Sequence, residues 1–136
     1  MPKSVFELID LDGTNGVKIN GINEGDGSGI SVSSAGDVNG DGVDDIIIGA
    51  SGADANGSAS GASYVVFGSA NWLSESLELS SLDGTNGFQI NGIDENDYSG
   101  MSASSAGDFN GDGWLDLASA FGNAVAWYKN TDGKGT

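Results

Sequence analysis

The sequence has 136 residues, no cysteine, no histidine, 24 glycines and a net charge of −16 from 20 acidic residues and four lysines. The lack of cysteine excludes disulfide bridges and thiolate metal sites, and the lack of histidine removes the commonest general base and transition-metal ligand. An acidic surface of this strength repels phosphate groups, so nucleic acids and anionic membrane surfaces are not expected partners.

The elements predicted along the chain are all β-strands, separated by Gly-, Ser- and Asn-rich turns. Residues 16–22 and 87–93 alternate apolar and polar side chains, as half-buried strands do. Residues 69–81 are predicted to form a loop with room for a brief helical turn. No apolar run approaches the length of a membrane span, and no signal peptide is recognisable. The predicted strands are residues 16–22, 29–37, 45–50, 62–68, 87–93, 100–108, 116–121 and 124–129.

The two halves of the chain repeat each other. Residues 11–45 align with residues 82–116 without gaps, 71 positions apart, and 25 of the 35 aligned residues are identical. A repeat of this length fits about four strands with their loops, which is the size of one propeller blade. We therefore predict an all-β fold of about two four-stranded antiparallel blades. The first repeat, with its N-terminal strand, is assigned to residues 1–81, and a second, shortened repeat to residues 82–136.

Each repeat contains an acidic loop, DVNGDGVDD at 37–45 and DFNGDGWLD at 108–116. Side-chain oxygens fall at loop positions one, three, five and nine. Glycine at position six allows a sharp bend, and position seven can offer its backbone carbonyl. Ca²⁺ takes about six to eight oxygens, so the pattern predicts one Ca²⁺ per loop and about two per chain. The predicted ligands are Asp37, Asn39, Asp41, Val43 and Asp45 in the first loop, and Asp108, Asn110, Asp112, Trp114 and Asp116 in the second.

The loops differ from an EF-hand, although the spacing of their oxygens is similar. An EF-hand requires Glu at position twelve and a helix after the loop, whereas this chain has Ile48 or Ser119 at that position and a predicted strand. The alternative interpretation is a turn that binds no metal, because Asn-Gly and Asp-Gly are favoured turn residues. Two copies with the same oxygen-bearing residues favour the calcium site.

The order of these segments resembles the FG-GAP repeat of integrin α-subunit-type β-propellers. The acidic loop is followed by DIIIGAS and then by YVVFG, in which Phe67 and Gly68 stand for the family's FG. Residues 49–51 stand for GAP, with Ser in place of Pro. After Leu117 the second copy lacks both landmarks and resembles the related bacterial VCBS-type repeat. The resemblance implies propeller blades with Ca²⁺ between the first two strands, and an extracellular or cell-surface location.

Propellers of this family have about seven blades, whereas this chain has about two. By the family's strand order, blade one takes the strands at 29–37, 45–50, 62–68 and 87–93, and blade two lacks an outer strand. The strand at 16–22 repeats the one at 87–93 and is a candidate to complete blade two of a neighbouring copy. Copies would then assemble head to tail into a ring or a filament. The alternative is an excised or designed fragment of a longer propeller.

The function predicted first is a non-enzymatic, calcium-binding extracellular module for adhesion, scaffolding or protein interaction. A lectin-like carbohydrate binder is an alternative, because aromatic side chains stack on sugars. Its candidate residues are Trp72, Trp114, Trp127 and Tyr98. An enzyme that uses paired acids, or an accessory part of a secreted hydrolase, is a further alternative. Its candidate acids are Glu24, Asp26, Glu95 and Asp97. These acids repeat with the blade, as structural residues do, so we predict no catalytic residue.

Overall fold

The computed structural model describes residues 4–71 and 74–131, and almost all of their regular structure is β. This part of the chain holds two short 3-10 turns, Leu8–Asp10 and Leu79–Ser81, and no helix in it is long and apolar enough to cross a membrane. The prediction of an all-β chain is confirmed. The strands are β1 Lys18–Asn20, β2 Ser31–Gly36, β3 Asp45–Ala50, β4 Ala62–Val66, β5 Ser76–Glu78, β6 Gly87–Asn91, β7 Ala103–Gly107, β8 Asp116–Phe121 and β9 Ala124–Tyr128.

Four strands form the antiparallel sheet of blade one, in the order β2-β3-β4-β6. The central strands β3 and β4 read DIIIGA and ASYVV, and they are buried because apolar groups cover both faces of the sheet. The register places Ile47 opposite Val65, and Val65 opposite Phe88. One face of the sheet therefore carries a row of large apolar side chains at cross-strand positions.

Blade two consists of β7, β8 and β9, and it packs against that apolar row. Ile47 and Phe88 of blade one share a buried cluster with Leu117 of blade two, and the inner strands β2 and β7 lie side by side. The backbones approach so closely that a Cβ added at Gly49 would collide with the carbonyl of Gly100. The missing side chain of Gly49 in β3 thus allows the two sheets to stack face to face.

The opposite face of blade one is covered by a small parallel sheet of β1 and β5. Ile19 of β1 and Leu77 of β5 pack against a second buried cluster, to which Ile48 belongs. The pairing begins where Lys18 N–H donates to the carbonyl of Glu75 at 3.0 Å. The strand β1 therefore lies against blade one of its own chain.

The loop predicted for residues 69–81 is wrong in part. Residues 76–78 form β5, while residues 79–81 form the second 3-10 turn, which agrees with the brief helical turn that the sequence allowed. Residues 72 and 73 lie outside the described part of the chain. The segment SLE has too few residues to show an alternating pattern. It forms a strand because β1 offers it an edge and Leu77 gains burial, both of which are tertiary effects.

A turn with the sequence LDGTNG precedes β1 and recurs before β6. In the first copy, the Thr14 N–H and hydroxyl donate to Asp12 Oδ1 at 2.9 and 2.7 Å. In the second, Thr85 makes the same two bonds to Asp83 Oδ1 at 2.9 and 2.6 Å. The threonine hydroxyl is the main reason why the pKa of each aspartate lies below its ordinary value. The repeated sequence therefore reproduces its geometry.

We expect Thr85→Val to raise the pKa of Asp83 towards its ordinary value, because the substitution removes the hydroxyl that bonds to the ionised carboxylate. The depressed pKa means that this bond contributes stability above the pKa of the unfolded chain, and that the contribution is lost as pH falls through the folded pKa. Carboxyl NMR titration measures the shift. Thr14→Val is the matched control and should move Asp12 alone; an unchanged Asp83 titration in Thr85→Val would contradict the assignment.

Candidate metal-binding loops

The first acidic loop joins β2 to β3, and its side chains fold inward onto its own backbone. Asp37 accepts hydrogen bonds from the N–H groups of Asp41 at 3.0 Å and Gly42 at 2.8 Å. Asp41 in turn accepts from the Val43 N–H at 2.9 Å. Gly40 and Gly42 have φ angles of 74° and 88°, in the left-handed region that favours glycine. The glycines thus let successive N–H groups turn towards the acidic side chains.

The oxygens of loop positions one, three and five converge in this conformation. Asp37 Oδ1 and Asn39 Oδ1 both accept from the Asp41 N–H, at 3.0 and 3.2 Å. The Asn39 amide also donates to Asp41 Oδ2 at 3.2 Å. Two carboxylates and an amide oxygen are therefore held around one short stretch of backbone. This is a set of hard oxygen donors of the kind that Ca²⁺ binds.

The second loop, between β7 and β8, repeats this arrangement bond by bond. Asp108 accepts from the N–H groups of Asp112 at 2.9 Å and Gly113 at 3.0 Å. Asp112 accepts from the Trp114 N–H at 3.0 Å, and Asn110 Oδ1 accepts from Asp112 N–H at 3.2 Å. The two loops therefore fold alike although their blades differ in strand number.

Charge and hydrogen bonding favour the ionised form of the position-five carboxylate in the second loop. The Trp114 N–H and the Asn110 amide hold the pKa of Asp112 below its usual value. The ammonium of Lys129, 3.8 Å from Asp112 Oδ2, acts in the same direction. This carboxylate is ionised at neutral pH, as a ligand for a cation must be.

The position-nine aspartates are buried and bonded to backbone on both sides of their loops. Asp45 accepts from the N–H groups of Val38 and Gly68, each at 2.8 Å. Burial raises the pKa of Asp45, and the two N–H donors oppose that rise. Each carboxylate oxygen retains a further lone pair beside its backbone bond. The carboxylate therefore ties the start of the loop to the chain just after β4, a role that the spacing of the acids did not reveal.

In the second loop, Asp116 makes the corresponding bonds to Phe109 N–H at 3.0 Å and Asn130 N–H at 2.9 Å. The Asn130 side chain is fully buried and donates to the carbonyls of Val38 at 2.8 Å and Leu115 at 3.2 Å. Asn130 thus bonds to both loops at once. No sequence signal identified this residue, because it lies outside the aligned segments of the two repeats.

The structure brings together only some of the predicted ligands in each loop. Positions one, three and five converge, whereas position nine faces backbone N–H groups. Position seven, Val43 or Trp114, donates its N–H to position five. Within residues 4–71 and 74–131, no three acidic side chains lie close enough together to form a ready-made metal cage. The donor types fit a hard cation, and the position-nine carboxylate would add its remaining lone pairs to the set.

The other candidate residues occupy separate environments. The ring of Trp114 lies beside Gly40 of the first loop, and Trp127 packs against Phe109 with 5.2 Å between ring centroids. Tyr98 is exposed. Trp72 lies outside the residues described by the structure. Trp114 and Trp127 therefore have protein neighbours of their own.

Asp26 and Asp97, two of the four acids considered for catalysis, take part in turns. Asp26 accepts from the Asn23 N–H at 3.3 Å, and Asp97 accepts from the Asp94 N–H at 2.9 Å. The two bonds occupy equivalent positions of the repeats, and Asp26 is buried. This geometry gives both acids a structural contact in the loop before the inner strand of each blade.

Comparison with known proteins identifies the repeats. A model of the FG-GAP repeat family matches residues 28–66 and residues 99–136, which together make up more than half of the chain. Each matched segment contains an inner strand and the acidic loop after it, so the family resemblance predicted from the sequence is confirmed. The similarity of the C-terminal end to VCBS-type repeats stays a prediction. No curated protein matches the chain.

We expect Asp45→Ala to lower the free energy of unfolding by about 3 kcal/mol in calcium-free buffer, because the buried N–H of Val38 and the partly buried N–H of Gly68 would lose their acceptor. Urea denaturation followed by circular dichroism measures the change. Asp44→Ala, one residue earlier on the exposed side, is the matched control and should change stability by no more than about 0.5 kcal/mol. Equal losses in the two variants would contradict the role of Asp45.

Proposed function

The chain belongs to the FG-GAP repeat family, and we propose that it is a calcium-binding, non-catalytic β-propeller module with a structural role in protein interaction. The observation that carries this proposal is the twofold recurrence of one loop geometry. In both loops the oxygens of positions one and three accept from the N–H of position five, and the carboxylate of position five accepts from the N–H of position seven. The same oxygen-bearing residue stands at positions one, three, five and nine of both repeats, which supports a common ligand for the two loops.

Each loop would hold one Ca²⁺. The ion would neutralise carboxylates that repel each other and would link the first two strands of its blade. In the first loop the holding residues would be Asp37, Asn39, Asp41, Asp45 and the carbonyl of Val43. In the second they would be Asp108, Asn110, Asp112, Asp116 and the carbonyl of Trp114.

An extracellular location suits this chemistry. Extracellular modules bind Ca²⁺ with dissociation constants of about 0.1–1 mM, and exposed loops such as these have no rigid cage to raise the affinity further. The charge of −16 would be partly neutralised by two divalent ions per chain. We propose adhesion or scaffolding rather than catalysis, because Asp26 and Asp97, two of the acids considered for catalysis, accept hydrogen bonds within turns. We also propose that copies of the chain associate with one another.

Calcium should stabilise the folded chain, since an ion that binds only the native state adds about 2.7 kcal/mol per site at a hundredfold excess over its dissociation constant. Isothermal titration calorimetry should give two Ca²⁺ per chain, and thermal denaturation should show a higher Tm with Ca²⁺ than with EDTA. Asp37→Asn and Asp108→Asn form a matched pair in which each variant should retain one site. A Tm that does not respond to about 10 mM Ca²⁺ would overturn the proposal.

A further inference from the structure

The two outer faces of the blade pair expose residues whose counterparts, 71 positions away, are buried. Phe109 is 69% exposed, whereas its counterpart Val38 is fully buried between the blades. On the other side, Leu8 is 76% exposed, whereas its counterpart Leu79 is 2% exposed. The repeats have the same local fold, so the difference lies in what covers them. In each pair, the buried residue packs against an element of this chain.

The exposed side of blade two, here called the trailing face, consists of Phe109, Val125 and Trp127. Val125 is 72% exposed and Trp127 is 41% exposed. The register of β8 with β9 pairs Ala118 with Trp127, as the register of β3 with β4 pairs Ile47 with Val65. Trp127 therefore takes the place of Val65, whose side of blade one forms the interface with blade two. The trailing face is an apolar repeat of an interface that already exists in the molecule.

The opposite side, here called the leading face, consists of Leu8 and the strand β1. On this face β1 takes the place of an outer strand. In the corresponding stretch of the second repeat, which contains β6, every second residue bonds to blade one. The Gly92 N–H, for example, donates to the Gly61 carbonyl at 2.8 Å. Lys18 corresponds to a residue of the other, alternate set, and its N–H bonds to the chain at the start of β5. Successive residues of a strand point their N–H groups to opposite edges, so Val17 and Ile19 direct theirs away from β5.

We propose that a second copy of the chain covers the trailing face and adds its β1, antiparallel, to the edge of β9. The proposal rests on the association of copies put forward above, and it specifies the surfaces that meet. The register of β4 with β6 places Val65 opposite Phe88 and Ser63 opposite Ile90. The same register sets Trp127 opposite Val17 of the second copy, and Val125 opposite its Ile19. Both pairs are apolar, which stabilises adjacent strands.

At one point the contact between copies differs from the contact within the chain. Gly49 allows close approach of the Gly100 carbonyl, but the counterpart of Gly49 in blade two is Ala120. Its methyl group would hold the backbone near Gly29 of the second copy farther away. Ala120→Gly should therefore strengthen the association, although glycine in a strand slightly destabilises the isolated chain.

The first test measures the mass of the 136-residue chain in Ca²⁺ buffer at protein concentrations of about 1–100 µM. The buffer contains about 0.15 M salt, because salt screens the repulsion between the acidic copies. We expect dimers or larger assemblies. Val125→Asp on the trailing face and Leu8→Asp on the leading face should each weaken association about tenfold or more, because each buries a charge. Ile93→Asp is the control, since Ile93 is exposed outside both faces. The proposal would be overturned if the chain stayed monomeric at every concentration, or if both variants associated as strongly as the original chain.

Native mass spectrometry of the same samples counts bound Ca²⁺ and separates the two proposals. A monomer carrying two Ca²⁺ would overturn the docking and leave the calcium module intact. Assemblies without Ca²⁺ that depend on both faces would support the docking and overturn the calcium module.

Disulfide trapping tests the register, and the absence of native cysteine makes it selective. Directly opposed residues in a ladder have Cβ atoms about 5 Å apart, within reach of a disulfide, whereas diagonal neighbours are about 7–8 Å apart. Chains carrying Val125→Cys are mixed with chains carrying Ile19→Cys and oxidised. We expect several-fold more mixed disulfide than with Val17→Cys chains. Equal yields would overturn the proposed register.

Discussion

The buried aspartate at the ninth position of each loop is the contact on which the blades depend. Asp45 and Asp116 each accept two backbone N–H bonds, one from the start of the loop and one from the chain after the third strand. A sheet hairpin with a glycine-rich loop has few side chains to fix its conformation, because glycine loses the most backbone entropy on folding. A carboxylate that joins three strands of one blade offsets part of this cost. The position-nine acid is thus structural even before any cation is considered.

The two loops are joined to each other by a contact of a different kind. The Asn130 side chain bonds to the carbonyls of Val38 and Leu115, while the ring of Trp114 lies beside Gly40. Any event that orders one loop therefore acts on atoms in direct contact with the other. Small residues also bring the two blades close together, since Gly49 of β3 approaches Gly100 and the hydroxyl of Ser119 in β8 lies near those of Ser63 and Ser99.

The sequence predicted the parts of the fold that depend on local pattern and on repetition. The alternation in β6, the apolar run of β3 and the acidic loops are all visible in single segments, and they appear in the structure close to the predicted residues. The strand β5 and the buried role of Asn130 were not predictable in this way. Each depends on a partner distant in sequence that carries no complementary signal: β1 for the strand, and the Val38 carbonyl for the asparagine. The convergence of positions one, three and five followed from their spacing, whereas the N–H partners of position nine did not.

The outer strand of blade one has a consequence for the order in which the chain can fold. β6 comes from the second repeat and is separated from β4 by β5 and the second 3-10 turn. During synthesis on the ribosome, β2, β3 and β4 emerge first as an incomplete sheet with an open edge, which is the kind of surface that pairs with other chains. The sheet closes only when the start of the next repeat has left the exit tunnel. A sequence repeat and a folded blade therefore do not begin and end at the same residues. A cut between the repeats would separate β6 from blade one and would not produce two independent blades.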